Sequence, residues 1–202
     1  MSDLDVQITF PDPEKLPAIF NLARGLRRPD VLMVMGGAVA TELRKHFTEL
    51  DKSDPNKLGG KRTHFWGKAR RSVQPPELVS GDIAKVSITA IGVAQRYYGG
   101  DITPREAKAI TIPVNPAAYG HRAREFDDLK LIPSQRKPDI LAILARPNPA
   151  SPHGIGEVYY VLVGRVHQDP NPDVLPTEAE RMQTALEAGE AYLKNLINGS
   201  QN

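Results

Sequence analysis

Val6, Ile8 and Phe10 alternate with Asp5, Gln7 and Thr9, a period of two that predicts a short strand with one buried face. Asp12-Pro13-Glu14 follows as a helix start. The aspartate can cap free amides, the proline fits the first turn, and the glutamate suits the positive end of the dipole. Leu16, Ile19, Ala23 and Leu26 share one face of that helix, which ends near Gly25. Pro29-Asp30 repeats the start signal. Leu32, Met35, Val39, Leu43, His46, Phe47 and Leu50 then trace the stripe of a longer amphipathic helix to about residue 50. Gly36-Gly37 sits inside it at about 1 kcal/mol per glycine relative to alanine, so a close approach of a neighbouring element is expected there, with a hinge as the functional alternative.

Beyond residue 53 the pattern turns to strands. Ala84, Val86, Ile88 and Ala90 alternate with Lys85, Ser87 and Thr89, predicting a half-buried strand. Ala94 to Tyr98 leads into a chain reversal at Gly99-Gly100. Ala109 to Val114 is a short strand in which Pro113 marks an edge or an end. A turn of helix is expected within Ala117 to Phe126, then strands at Leu129 to Ile132, Ile140 to Leu144 and Glu157 to His167. The last is apolar on both faces, which predicts cover on both sides. Between the last two strands lies Pro-Asn-Pro-Ala-Ser-Pro-His-Gly-Ile-Gly, residues 147–156, expected as an exposed hairpin tip carrying Pro147, Pro149 and Pro152. Pro176-Thr177 opens a final helix with Ala179, Met182, Leu186, Gly189, Leu193 and Leu196 on its apolar face, ended by Asn198-Gly199.

This order of elements is not the alternation of a parallel βαβ sheet. It predicts an α+β fold, an antiparallel or mixed sheet packed by two N-terminal helices and a C-terminal one, with a projecting hairpin. A length of 202 residues suits one domain over 1–202, carrying a basic arm at 53–76 and the proline-rich tip at 147–156. The 18 prolines and 16 glycines agree with short strands and many loops. There is no cysteine, which excludes a disulfide framework, a thiol nucleophile and the usual structural zinc site. The acidic N-terminus lacks the pattern of a signal peptide, and the longest apolar run is too short to span a bilayer. The expectation is therefore a soluble protein of a reducing cytoplasm with no membrane partner.

Candidate chemistry is sparse. His46, His64, His121, His153 and His167 have no metal-ligand spacing with one another or with carboxylates on one helix. No Gly-x-Ser-x-Gly elbow occurs. Gly59-Gly60-Lys61-Arg62-Thr63 fails as a phosphate loop, since Pro55 holds the first glycine position and Arg62 separates Lys61 from Thr63. Glu42 with Glu49, Asp127-Asp128, and Glu178 with Glu180 are ordinary surface groupings. No catalytic residue, cofactor or metal is expected, and a virion-associated hydrolase would need residues assembled only in space.

The strongest charge feature is local, because the net charge is only +2. Between Pro55 and Pro76 stand Lys57, Lys61, Arg62, Lys68, Arg70 and Arg71 with no acid, and with Phe65 and the only tryptophan, Trp66, in their midst. Three readings fit: an aromatic–basic interface arm, a base-stacking nucleic-acid site, or a plain surface loop. Arg122, Arg124 and Arg136-Lys137 are balanced in part by Asp127 and Asp128, as on a salt-bridged surface.

The run Ala94-Gln95-Arg96-Tyr97-Tyr98-Gly99-Gly100-Asp101-Ile102-Thr103-Pro104, continued by Lys108-Ala109-Ile110-Thr111-Ile112-Pro113-Val114, resembles the phage virion-morphogenesis family of tail-completion and minor tail proteins. There an aromatic–Gly–Gly turn is followed by a Pro, a Lys and an "Ile-Pro" strand. Asp54-Pro55-Asn56 and Phe65-Trp66 resemble the loop after that family's long helix. The likeness spans most of residues 30–145 and is sharpest from Gln95 to Val114. It departs at Lys68-Ala69-Arg70-Arg71-Ser72-Val73, where many members carry Gly-Arg-Leu-x-x-Ser, and in the Ile140 to His167 hairpin.

The resemblance implies a virion structural protein that is not an enzyme. It implies assembly with itself into a ring, six copies favoured, at the neck or tail end. Its partners would be adjacent tail or head–tail connector proteins, with contact to packaged DNA as an additional expectation, and its location the virion tail or neck, with host cytoplasm during assembly. Interface or DNA-channel candidates are Lys57, Lys61, Arg62, Phe65, Trp66, Lys68, Arg70, Arg71, Tyr97, Tyr98, Gly99, Gly100, Pro147, Pro149 and Pro152. The alternative is a nucleic-acid-binding accessory protein of phage assembly using the basic 57–71 arm.

Overall fold

A computed structural model describes residues 4–9, 28–53, 63–134 and 139–199 of the chain. The fold is α+β with antiparallel sheets. Length suggested one domain. Within it the chain forms two compact units interleaved along the sequence, one from Met1–Lys52, Phe65–Tyr98 and Pro170–Asn202, the other from Ser53–His64 and Gly99–Asp169.

The first unit holds a three-stranded antiparallel sheet of β1 (Leu4–Thr9), β2 (Glu77–Ser80) and β3 (Ile83–Ile88) in the order β1-β3-β2. Strand β3 shows the predicted alternation, with Ala84, Val86 and Ile88 fully buried. Among the described residues four α-helices accompany the sheet: α1 (Arg28–Ser53), α2 (Phe65–Ser72), α3 (Val93–Tyr98) and α4 (Glu178–Gly199). On α1, Leu32, Met35, Val39, Leu43 and Phe47 recur every three or four residues and all are buried, the stripe expected from the sequence. Met35, Val39, Leu43 and Phe47 pack with Val86, Ile88, Val93, Val174 and Leu193 into one core.

Of the two adjacent glycines in α1, one lets another element approach closely. A Cβ on Gly36 of α1 would stand 2.6 Å from Pro76 Cβ, so the expected close approach is met there, against the residue that enters β2. Gly37 has nothing within 4 Å. Helix α4 begins with a capping box: the Glu180 amide donates to Thr177 Oγ1 at 3.2 Å, and the Thr177 amide donates to Glu180 Oε2 at 2.8 Å. Its buried face carries Ala185, Gly189 and Leu193, whereas Ala179, expected on the stripe, is exposed in the first turn.

The second unit contains β4 (Gly100–Ile102) paired with β9 (Val166–Gln168). It also holds a four-stranded sheet, β5-β8-β7-β6, of β5 (Ile110–Pro113), β6 (Lys130–Pro133), β7 (Ile140–Pro147) and β8 (Ile155–Val163). β5 is an edge strand, as Pro113 requires. β8 is central, and its adjacent Tyr159 and Tyr160 are both 2% exposed although they point to opposite faces. The single strand expected over Glu157 to His167 is two. It breaks at Gly164-Arg165, and β9 joins a different sheet. The helical turn expected within Ala117 to Phe126 is a pair of 3₁₀ turns, Pro116–Ala118 and Ala123–Glu125. The helix expected near residues 12–26 lies outside the described residues.

The Tyr160 hydroxyl fixes this unit's loop to its sheet, lying 3.2 Å from the Ala118 carbonyl and 3.0 Å from that of His121. Burial, together with the nearby Glu125 charge, pushes the Tyr160 phenol above its ordinary pKa. Phe126 packs edge-on against Tyr159, with Leu129, Leu144 and Leu162 around them.

Candidate interaction interface

The basic segment contains a helix, which its local sequence explains. Trp66, Ala69 and Val73 recur at i, i+3 and i+7 and are buried, while Lys68, Arg70 and Arg71 are exposed. Asp51 of α1 caps α2, its Oδ1 accepting from the Gly67 amide at 3.0 Å. Just past the C-terminus, Arg44 Nη2 donates to the Val73 carbonyl at 2.9 Å.

This placement corrects the aromatic arm. Trp66, 6% exposed, stacks on Phe47 with ring centroids 5.8 Å apart and planes 12° apart. Phe65 is half-buried and packs edge-on against Trp66, and the Arg96 guanidinium lies 4.3 Å over the Phe65 ring. Both rings are engaged within the unit's own core, so neither is a free stacking platform. The helical period hides this in the sequence, because an aromatic pair among cations reads the same whether it faces in or out. Lys57, Lys61 and Arg62 lie outside the described residues.

At the glycine turn, Tyr98 is 65% exposed and Tyr97 half-buried, their rings edge to face at 4.9 Å. Gly99 and Gly100 follow with φ of 69° and 106°. That left-handed backbone admits glycine freely and other residues at a cost, which is why the reversal carries two of them. Ile91, 75% exposed, precedes α3 in the same unit as Tyr98.

The tip 147–156 is an ordered reversal between β7 and β8. The Asn148 amide donates to the Gly154 carbonyl at 2.9 Å, the Ser151 amide to the Asn148 carbonyl at 3.0 Å, and the Ala150 amide to Asn148 Oδ1 at 3.0 Å. Pro147, Pro149 and Pro152 are exposed along it. At its base Arg146 pairs with Asp128 and lies 4.7 Å over the Tyr159 ring.

The titratable groups form exposed pairs. Asp101 on β4 meets His167 Nδ1 on β9 at 2.7 Å and Arg165 Nη1 at 3.5 Å. The hydrogen bond from His167, with some help from Arg165, holds the Asp101 carboxyl below its ordinary range. Glu125 is lowered by its hydrogen bond with His121 and then by the Arg122 amide, and Glu180 by the Thr177 hydroxyl and amide. Among the described residues no three His, Asp or Glu side chains gather as metal ligands.

Sequence reading missed the exposed apolar residues of two outer strands. These are Leu78 (42%) and Val79 (57%) on β2, and Leu131 (60%) on β6. The signal for the first was present: Leu78-Val79 lies between Pro75-Pro76 and Gly81-Asp82, a two-residue hairpin turn after a proline break. No helix among the described residues is long and apolar enough to cross a membrane. No protein-family model, curated protein or solved structure matches the chain.

Proposed function

We propose that this chain is a structural assembly protein of a tailed phage or prophage, joining copies of itself into a ring at the head–tail junction or tail end. The observation that carries the reading is the run from Gln95 to Val114, with its Tyr-Tyr-Gly-Gly turn and Ile-Pro strand, resembling the virion-morphogenesis family. The geometry is consistent with that use: an exposed Tyr98 stands before two left-handed glycines, and the Ile-Pro strand, β5, is a sheet edge. Leu78, Val79 and Leu131 on outer strands add apolar surface of the kind that self-association covers. Adjacent tail or connector proteins complete the proposed set of partners.

Electron microscopy of intact particles tests this reading. Density for this chain is expected in the tail or neck, in several copies around the tail axis. Particles that assemble fully in its absence, with no such density in the wild type, would refute it. Light scattering on the isolated protein complements this, since a Tyr98→Ser variant should lower any oligomer it forms.

A further inference from the structure

We propose that the solvent face of α2 is a binding surface for the phosphate backbone of duplex DNA, independent of sequence and without base stacking. This inference goes beyond the ring reading and does not depend on it.

Lys68 and Arg71 are three residues apart on the α2 face opposite Trp66 and Ala69, and Arg70, also exposed, lies about 100° round the helix from Arg71. Helix rise puts Lys68 and Arg71 about 4.5 Å apart along the axis, within the span that two long side chains can direct at neighbouring phosphates. No carboxylate lies within ion-pair distance of any of the three among the described residues; Lys45, Lys52 and Lys85 of the same unit do have carboxylate partners. Two more cations lie nearby: Arg44 at the Val73 carbonyl, just past the helix, and Arg96 over the Phe65 ring. Asp51 of α1 accepts from the Gly67 amide at the opposite end of the helix from Arg70 and Arg71. A short helix bearing three exposed cations, none paired with a carboxylate among the described residues, concentrates positive charge locally on a protein whose net charge is only +2.

The burial of the aromatics decides which nucleic acid fits. Single-strand binding relies on free rings beneath the bases. Here Trp66 is stacked on Phe47 and Phe65 is covered by Arg96, which leaves cations alone at the surface. Cations on a rigid helix contact phosphates, and the stiff duplex offers them at fixed spacing.

The test uses the full chain and a fluorescently labelled 30-base-pair duplex of arbitrary sequence, read by anisotropy over a salt series. Binding is expected at low salt, weakening linearly in log–log form. The triple variant K68Q/R70Q/R71Q should bind at least about tenfold more weakly at low salt and lose about 2 to 3 units of salt slope, at about 0.9 per phosphate contact. All three side chains are exposed, so its circular dichroism and melting should match wild type. A second variant, K45Q/K52Q/K194Q, removes the same charge from α1 and α4 and should bind as wild type does. A single strand of equal phosphate count should bind no more tightly than duplex, with Trp66 fluorescence unchanged. The proposal is overturned by absence of binding at low salt, by equal losses in the two triple variants, by an effect confined to K57Q/K61Q/R62Q, or by single-strand preference with Trp66 quenching.

Discussion

Replacing Gly36 and Gly37 by alanine, one at a time, perturbs adjacent residues of one helix in opposite directions. In an open helix each change gains about 1 kcal/mol, because glycine gives up more backbone freedom than alanine. Gly37 is such a position, with no atom within 4 Å of an added Cβ, and Gly37→Ala should stabilise by about 0.5–1 kcal/mol. At Gly36 the new methyl would lie 2.6 Å from Pro76 Cβ and 3.8 Å from Ala84 Cβ. Carbon atoms rest at about 3.5–4.0 Å, so roughly 1 Å of separation must be found. Pro76 Cβ belongs to a rigid ring and cannot rotate away, and overpacking of this kind costs about 1–3 kcal/mol. Set against the propensity gain, Gly36→Ala should range from neutral to about 2 kcal/mol destabilising. The two variants should therefore differ by about 1–3 kcal/mol. Urea unfolding followed by Trp66 fluorescence reads this directly, because the only tryptophan lies in the same unit. The midpoint should fall or hold for Gly36→Ala and rise for Gly37→Ala, with slopes unchanged. Equal stabilisation by both would refute the close passage of α1 over Pro76.

Trp66→Ala should cost about 3–5 kcal/mol in urea unfolding followed by far-ultraviolet circular dichroism, where a surface-arm tryptophan would cost almost nothing, and wild-type emission should be blue-shifted and resist acrylamide. Tyr160→Phe removes the hydroxyl between the Ala118 and His121 carbonyls and should destabilise the second unit by about 1 kcal/mol, seen in faster amide exchange along β8. Gly156→Ala would put a Cβ 2.8 Å from the Arg146 carbonyl oxygen and should loosen the β7–β8 end, read as earlier proteolysis within 147–156. The Asp101 carboxyl is depressed in the fold, so its stabilisation is present above the ordinary carboxylate range and is lost as pH falls through its lowered value. Acid titration below about pH 4 should open β4 from β9, and Asp101→Asn should abolish that step; a wild-type pairing that survives unchanged to full protonation would refute it.

The α+β class, the long helix and its buried stripe, the alternating strand at Ala84 to Ile88, the edge position of β5 and the opening of the last helix were all legible in the sequence. They follow from local periods and caps, which depend on residues within a few positions of each other. The candidate surfaces were legible only as composition. An acid-free basic stretch can be recognised without knowing that its aromatics turn inward, because the direction of a helix face is set by what packs beneath it. Here that is Phe47, 19 residues before Trp66.

The sequence by itself determined which segments fold and which residues could reach solvent with charge: the stripe of α1, the cap at Thr177 and the cations from Lys57 to Arg71. Tertiary structure alone decided the rest. It divided the chain into two units, broke the last strand at Gly164 and sent β9 to a different sheet. It buried Trp66 and left Lys68, Arg70 and Arg71 outside. These outcomes depend on pairings between residues distant in the chain, and periodicity carries no information about which distant partner a strand or helix face will meet.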